Sequence, residues 1–133
     1  MQQIQNQPEP AQDVWFSTAE YYDAIVKLGK SVTPIQRRML VAHAEAPGCI
    51  LSVLQIAEAA GYKNANPTYL QYGGLANRLA TALNVTGRWK VWTHLIGKSF
   101  RTEKNDLCWE MHPELVGALI KLNWVRRDAG RSS

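Results

Sequence analysis

The side chains best suited to chemistry in this sequence fall within one stretch, Leu51 to Leu83. Asn66, Thr68, Gln71 and Arg78 carry donors and acceptors of the kind that reach base edges in a nucleic-acid groove. Tyr69 can stack or meet a phosphate, and Lys63 places a cation just ahead of the set. A second group, Lys98, Arg101 and Lys104, is cationic, and Arg88 and Lys90 precede it. Basic groups on a hairpin tip lie along phosphates and supply affinity without reading sequence. Both groups also have plainer readings. Polar residues at helical spacing form the wet side of a core helix, and lysine or arginine keeps a sheet edge soluble. Glu103, Asp106 and Glu110 dilute the second group.

The elements that must position these residues have clear punctuation. Ser52 with Gln55 makes a capping box, and Val53, Ile56, Ala57 and Ala60 follow at helical spacing. Gly61 suits the left-handed residue that ends a helix, with Tyr62 folding back onto it. Asn66 as cap and Pro67 at the first position open a helix over 67–83. Leu75, Leu79, Ala82 and Leu83 form its apolar stripe, which Leu70 and Tyr72 are expected to join. Gly73 and Gly74 interrupt it, each costing about 1 kcal/mol against alanine. A neighbouring helix passing close by is the expected reason. Two helices joined by a short polar turn predict a helix-turn-helix.

Upstream, Ser17 with Glu20 is another capping box, Tyr21 to Leu28 continue a helix that Gly29 ends, and Phe16 is placed to staple Tyr21. Thr33, Pro34 and Gln36 open a second helix by the same device, with Ile35, Met39, Leu40 and Ala42 or His43 facing inward, and Ala46-Pro47-Gly48 stops it. Cys49 to Leu51 reads as a short extended link. Downstream, residues 88–96 favour a strand, in which at least one of Trp89 and Trp92 is exposed. Residues 98–111 predict a β-hairpin, with Leu107, Trp109 and Met111 on one face. A final helix opens at His112-Pro113 and buries Leu115, Val116, Leu119 and Ile120; Trp124-Val125 then adds a strand or an anchor.

This order predicts a mainly α protein with a small β-sheet: a winged helix-turn-helix with extra N- and C-terminal helices. The divisions are a disordered tail over 1–12, a domain over 13–125 and a basic flexible tail over 126–133. Over roughly 33–125 the chain also resembles a poorly characterised bacterial family, through G-Y-K at 61–63, L-Q-Y-G at 70–73 and W-E-M-H-P-E-L at 109–115. Members resemble small winged-helix modules, found alone or N-terminal to restriction or HNH-type nuclease domains. The resemblance implies a binding module of defence-related context; no nuclease motif is present to carry over an activity.

The 133 residues carry a net charge of +4. Residues 1–31 are at −2, so +6 lies downstream, which suits a polyanion. No apolar run reaches the length of a membrane span, and no secretory signal is visible. Cys49 and Cys108 read as free thiols of a cytoplasmic protein. His43, His94 and His112 are scattered, and Cys108 with His112 lacks further ligands, so neither a metal nor a cofactor is expected. No nucleophile or acid–base constellation is present, so no enzyme is expected. The five tryptophans suit core packing or a partner interface better than base stacking.

The leading expectation is therefore a non-catalytic module that binds double-stranded DNA through the helix 67–83 and the basic hairpin. The rival is a protein-binding inhibitor or adaptor from a phage or other mobile element, of the anti-CRISPR type. A homodimer through Trp15, Phe16, Tyr21 and Tyr22 of the first helix is a third expectation.

Overall fold

The computed structural model describes residues 16–85 and 92–129. The tail expected over 1–12, together with Trp15, Trp89 and the tip of the C-terminal tail, lies outside them. The described chain is mainly helical with a three-stranded antiparallel sheet.

Helix α1, Thr18–Leu28, starts on the expected box: Ser17 Oγ accepts the Glu20 N–H at 3.1 Å, and Glu20 Oε1 accepts the Ser17 N–H at 2.8 Å. The Phe16 ring meets Tyr21 edge-on at 6.1 Å, as the staple requires. Thr33 and Gln36 cap α2, Pro34–Glu45, in the same reciprocal manner, and Ser52 and Gln55 cap α3, Val53–Ala59. Each such cap is worth about 1 kcal/mol. Gly61, at φ +92°, turns the chain out of α3, and the Tyr62 N–H reaches back to the Ala57 carbonyl at 3.1 Å.

Helix α4, Asn66–Ala82, runs unbroken through both glycines. Asn66 is its first residue rather than its cap. The Asn64 side chain instead accepts the Asn66 N–H at 3.1 Å, because Asn64 already stands in the turn two residues ahead.

The sheet has the order β1-β3-β2. Its first strand, β1 (Ile50–Ser52), is the stretch expected to be a mere link; it pairs with β3 (Leu107–Met111) in the register Leu51 to Trp109. Strand β2 (Gly97–Arg101) forms the expected hairpin with β3. The strand expected over 88–96 is not found where the chain is described. Residues Trp92–Leu95 form a 3-10 turn, and Arg88 and Lys90 lie outside the described residues. Side chains rather than a ladder satisfy this segment: Tyr21 Oη donates to the Leu95 carbonyl at 2.6 Å, and His112 Nε2 donates to the His94 carbonyl at 2.6 Å.

Helix α5, Pro113–Lys121, buries Leu115, Val116 and Leu119 against α1. Gly117 allows that crossing, since a Cβ there would stand 2.8 Å from Thr18 Oγ1. Trp124 anchors the chain end, with the Arg37 guanidinium 4.3 Å above its ring, and Val125 is buried. Arg126 then folds back on Glu45, its N–H donating to Oε2 at 3.2 Å. Of the aromatic set expected at a dimer interface, Tyr21 is buried in the core, where burial and nearby Glu114 and Glu20 push its phenol well above the ordinary range.

Candidate nucleic-acid interface

Helix α4 packs its Thr68, Tyr72, Leu75, Ala76, Leu79 and Ala80 side inward. The opposite side carries Asn66, Leu70, Gly73 and Asn77 at i, i+4, i+7 and i+11, one exposed or half-exposed strip with Thr81 at its end. This strip holds two amides, one aliphatic chain and a glycine, and no charge.

The expected site residues divide against this frame. Lys63, Asn66 and Tyr69 are exposed on or ahead of the first turn of α4. Thr68 is a correction. It is fully buried, and its Oγ1 donates to the Val53 carbonyl at 2.7 Å, so it ties α4 to α3 and reaches no groove. Four residues before Tyr72, it falls on the core stripe. Gln71 is half-buried and accepts from the Gln36 amide Nε2 at 3.3 Å. Arg78 is exposed, but its Nη1 donates to the Ser31 carbonyl at 3.1 Å and to Gln36 Oε1 at 3.3 Å. Gln36 is thus a buried hub: the side chain that caps α2 also holds Gln71 and Arg78 of α4 in place.

Leu70 is a second correction. Two residues from Tyr72 it points away from the stripe, and it is 75% exposed. The expected close neighbour at the glycine pair is a third. Among the described residues, nothing lies within 4 Å of a Cβ built at Gly73, and at Gly74 only the Gln36 Nε2 approaches, at 3.9 Å. The fold itself does not require either glycine.

On the hairpin, residues directly opposite one another share a face and neighbours alternate. Ser99, Trp109 and Leu51 form one row, and Lys98, Glu110 and Ile50 the next. Trp109 looks toward α4, stacking on Tyr72 at 5.4 Å and meeting Tyr69 edge-on at 6.2 Å. Lys98 therefore lies on the sheet face turned away from α4, and it is corrected out of the group. Arg101, paired with Leu107, shares the Trp109 face. Its Nη1 donates to the Asn105 carbonyl at 2.9 Å across the turn, and Lys104 is exposed in that turn. Asn105 takes φ +68° there, a conformation asparagine tolerates.

A buried polar chain fixes α4 against the hairpin. His43 of α2 has Nε2 2.8 Å from the Trp109 carbonyl and Nδ1 2.9 Å from the Tyr72 hydroxyl. A carbonyl only accepts, so Nε2 carries the proton and Nδ1 accepts from Tyr72. Burial lowers the imidazole from its ordinary range to about 4, so it stays neutral at pH 7, and burial raises the Tyr72 phenol. One side chain thereby joins α2, α4 and β3.

No group of histidine, cysteine or acidic residues able to hold a metal occurs among the described residues. None of the described helices is long and apolar enough to cross a membrane. No family model, curated protein or solved structure matches the chain.

Proposed function

We propose that Pro34–Met111 forms a winged helix-turn-helix module that binds double-stranded DNA without catalysis, with α4 in the major groove and the β2–β3 hairpin as the wing. The element order supports it: helix, strand, two helices, then a hairpin whose second strand pairs with the first strand. The observation that carries the reading is the uncharged outer strip of α4. Asparagine pairs with adenine in the major groove, and an aliphatic chain meets the thymine methyl. Asn66, Leu70 and Asn77 supply both kinds of contact, and Gly73 between them leaves room for close approach. Lys63, Arg101 and Lys104 are the phosphate contacts of this arrangement. A fluorescence-anisotropy titration of a labelled random-sequence duplex tests it: salt-sensitive binding is expected, and no binding to any duplex would overturn it.

One observation favours a protein partner instead. Leu70, Tyr69 at 45% exposure and Leu54 at 40% are large apolar side chains open to solvent on α3 and α4. An adaptor using these residues would bind its partner with little dependence on salt and would show no affinity for duplex.

A further inference from the structure

A cleft of about 400 Å³ opens between the end of α1 and the second half of α4. Lys27, Ser31, Asn77, Arg78 and Thr81 line it, and none of its described lining residues is acidic. Asn77 and Thr81 belong equally to the exposed strip of α4, so the cleft is a continuation of that strip rather than a separate hollow. It lies on the Arg78 side of the helix, whereas Tyr69 and Trp109 mark the hairpin side.

Its two cations are prepared in different ways. Arg78 is held by Nη1, which donates to the Ser31 carbonyl and to Gln36 Oε1. A guanidinium has five N–H donors, so Nη2 and Nε remain for a ligand, on a group already fixed in place. Lys27 stands one turn after Asp23, yet the described residues show no ion pair for either Lys27 or Arg78. Ser31 and Asn77 add neutral donors, whereas the Thr81 hydroxyl donates to the Asn77 carbonyl at 3.2 Å. Two cations and two neutral donors, with no carboxylate among the described lining residues, are a donor set for a tetrahedral oxyanion.

We infer that this cleft seats one backbone phosphate of the bound duplex, on the flank of α4 opposite the wing. The inference rests on the DNA reading and deepens it: the duplex is gripped from two sides, by Arg101 and Lys104 beyond one edge of α4 and by Lys27 and Arg78 beyond the other. A phosphate seat sets register on the duplex and carries no sequence information.

The test is the salt dependence of duplex binding by the full chain and by two variants, Lys27→Gln and Arg78→Lys. Lys27 is exposed and makes no ion pair among the described residues, so its replacement is expected to leave the fold alone. Each lost phosphate contact makes the slope of log K against log salt shallower by about 0.9. Because Arg78 stays on the same phosphate, Lys27→Gln is expected to weaken binding and to flatten the slope by less than that amount, on every duplex sequence tried. Arg78→Lys keeps the charge and loses the fixed fork, so it weakens binding at an unchanged slope. A wild type that binds duplex while Lys27→Gln keeps both slope and affinity overturns the seat and leaves the DNA reading standing. A wild type that binds no duplex removes both.

Discussion

Replacing Gly73 by alanine separates what the fold needs from what a partner needs. Gly73 sits in the middle of the 17-residue helix α4, where glycine costs about 1 kcal/mol relative to alanine. No described residue stands within 4 Å of the added methyl, so no packing penalty offsets the gain. Gly73→Ala is therefore expected to stabilise the chain by about 1 kcal/mol, which for a domain of this size raises Tm by roughly 3–5 °C. The same methyl projects from the strip proposed to meet the duplex. Overfilling a close contact costs about 1–3 kcal/mol, so affinity is expected to fall roughly tenfold or more. Differential scanning calorimetry and an anisotropy titration on one preparation read both effects. A lower Tm would refute the open outer side of α4. A higher Tm with unchanged affinity would refute Gly73 as the point of close approach.

Further perturbations probe the supports of the site. His43 is held near pKa 4 when folded and returns to about 6.5 when unfolded, so the unfolded chain binds the extra proton between those values. Stability from this group is complete above about pH 6.5 and is lost as pH falls toward 4, by about 3 kcal/mol in total. Urea midpoints at pH 7 and pH 4.5 are expected to diverge more for wild type than for His43→Gln; equal divergence would contradict the neutral buried imidazole. Gly97→Ala is expected to destabilise by about 1–3 kcal/mol, because its Cβ would stand 2.5 Å from the Glu110 carbonyl oxygen, a backbone atom that cannot swing aside. Gly117→Ala meets a rotatable Thr18 side chain, so its smaller loss should be reversed by Thr18→Ala. Thr68→Val removes the buried hydroxyl bond to Val53 and is expected to cost about 1 kcal/mol while leaving duplex affinity unchanged. A selective loss of affinity would return Thr68 to the interface.

Local grammar was the most legible part of the chain. Three capping boxes at Ser17, Thr33 and Ser52, the terminator at Gly61 and the hairpin around Asn105 need only a few neighbouring residues, and each stands where its pattern puts it. Long-range pairing was not legible. Ile50–Ser52 is too short to announce itself, and it becomes a strand only because β3 offers an edge some sixty residues later. Residues Trp92–Leu95 have strand composition, but the hydroxyl of Tyr21 and the imidazole of His112 take their carbonyls. The candidate site was readable in outline. Angular position on α4 would have excluded Thr68 and freed Leu70, since 68, 72, 75 and 79 make a stripe that 70 does not share. Period-two alternation likewise separates Lys98 from Arg101. The hub roles of Gln36 and His43 depend on partners 29 or more residues away and left no mark in spacing. Lys27 lines a cleft with Arg78, which stands on another helix, so nothing in its local spacing marks it.

The titration that bears most directly on the central claim follows binding of a labelled duplex from 50 to 200 mM salt. If Lys63, Arg101 and Lys104 each meet a phosphate and Lys27 shares one with Arg78, log K falls against log salt with a slope of roughly −3.6. Partner binding that ignores salt, with no affinity for duplex at the lowest ionic strength, would contradict it and leave the exposed Leu54, Tyr69 and Leu70 as a protein-docking surface.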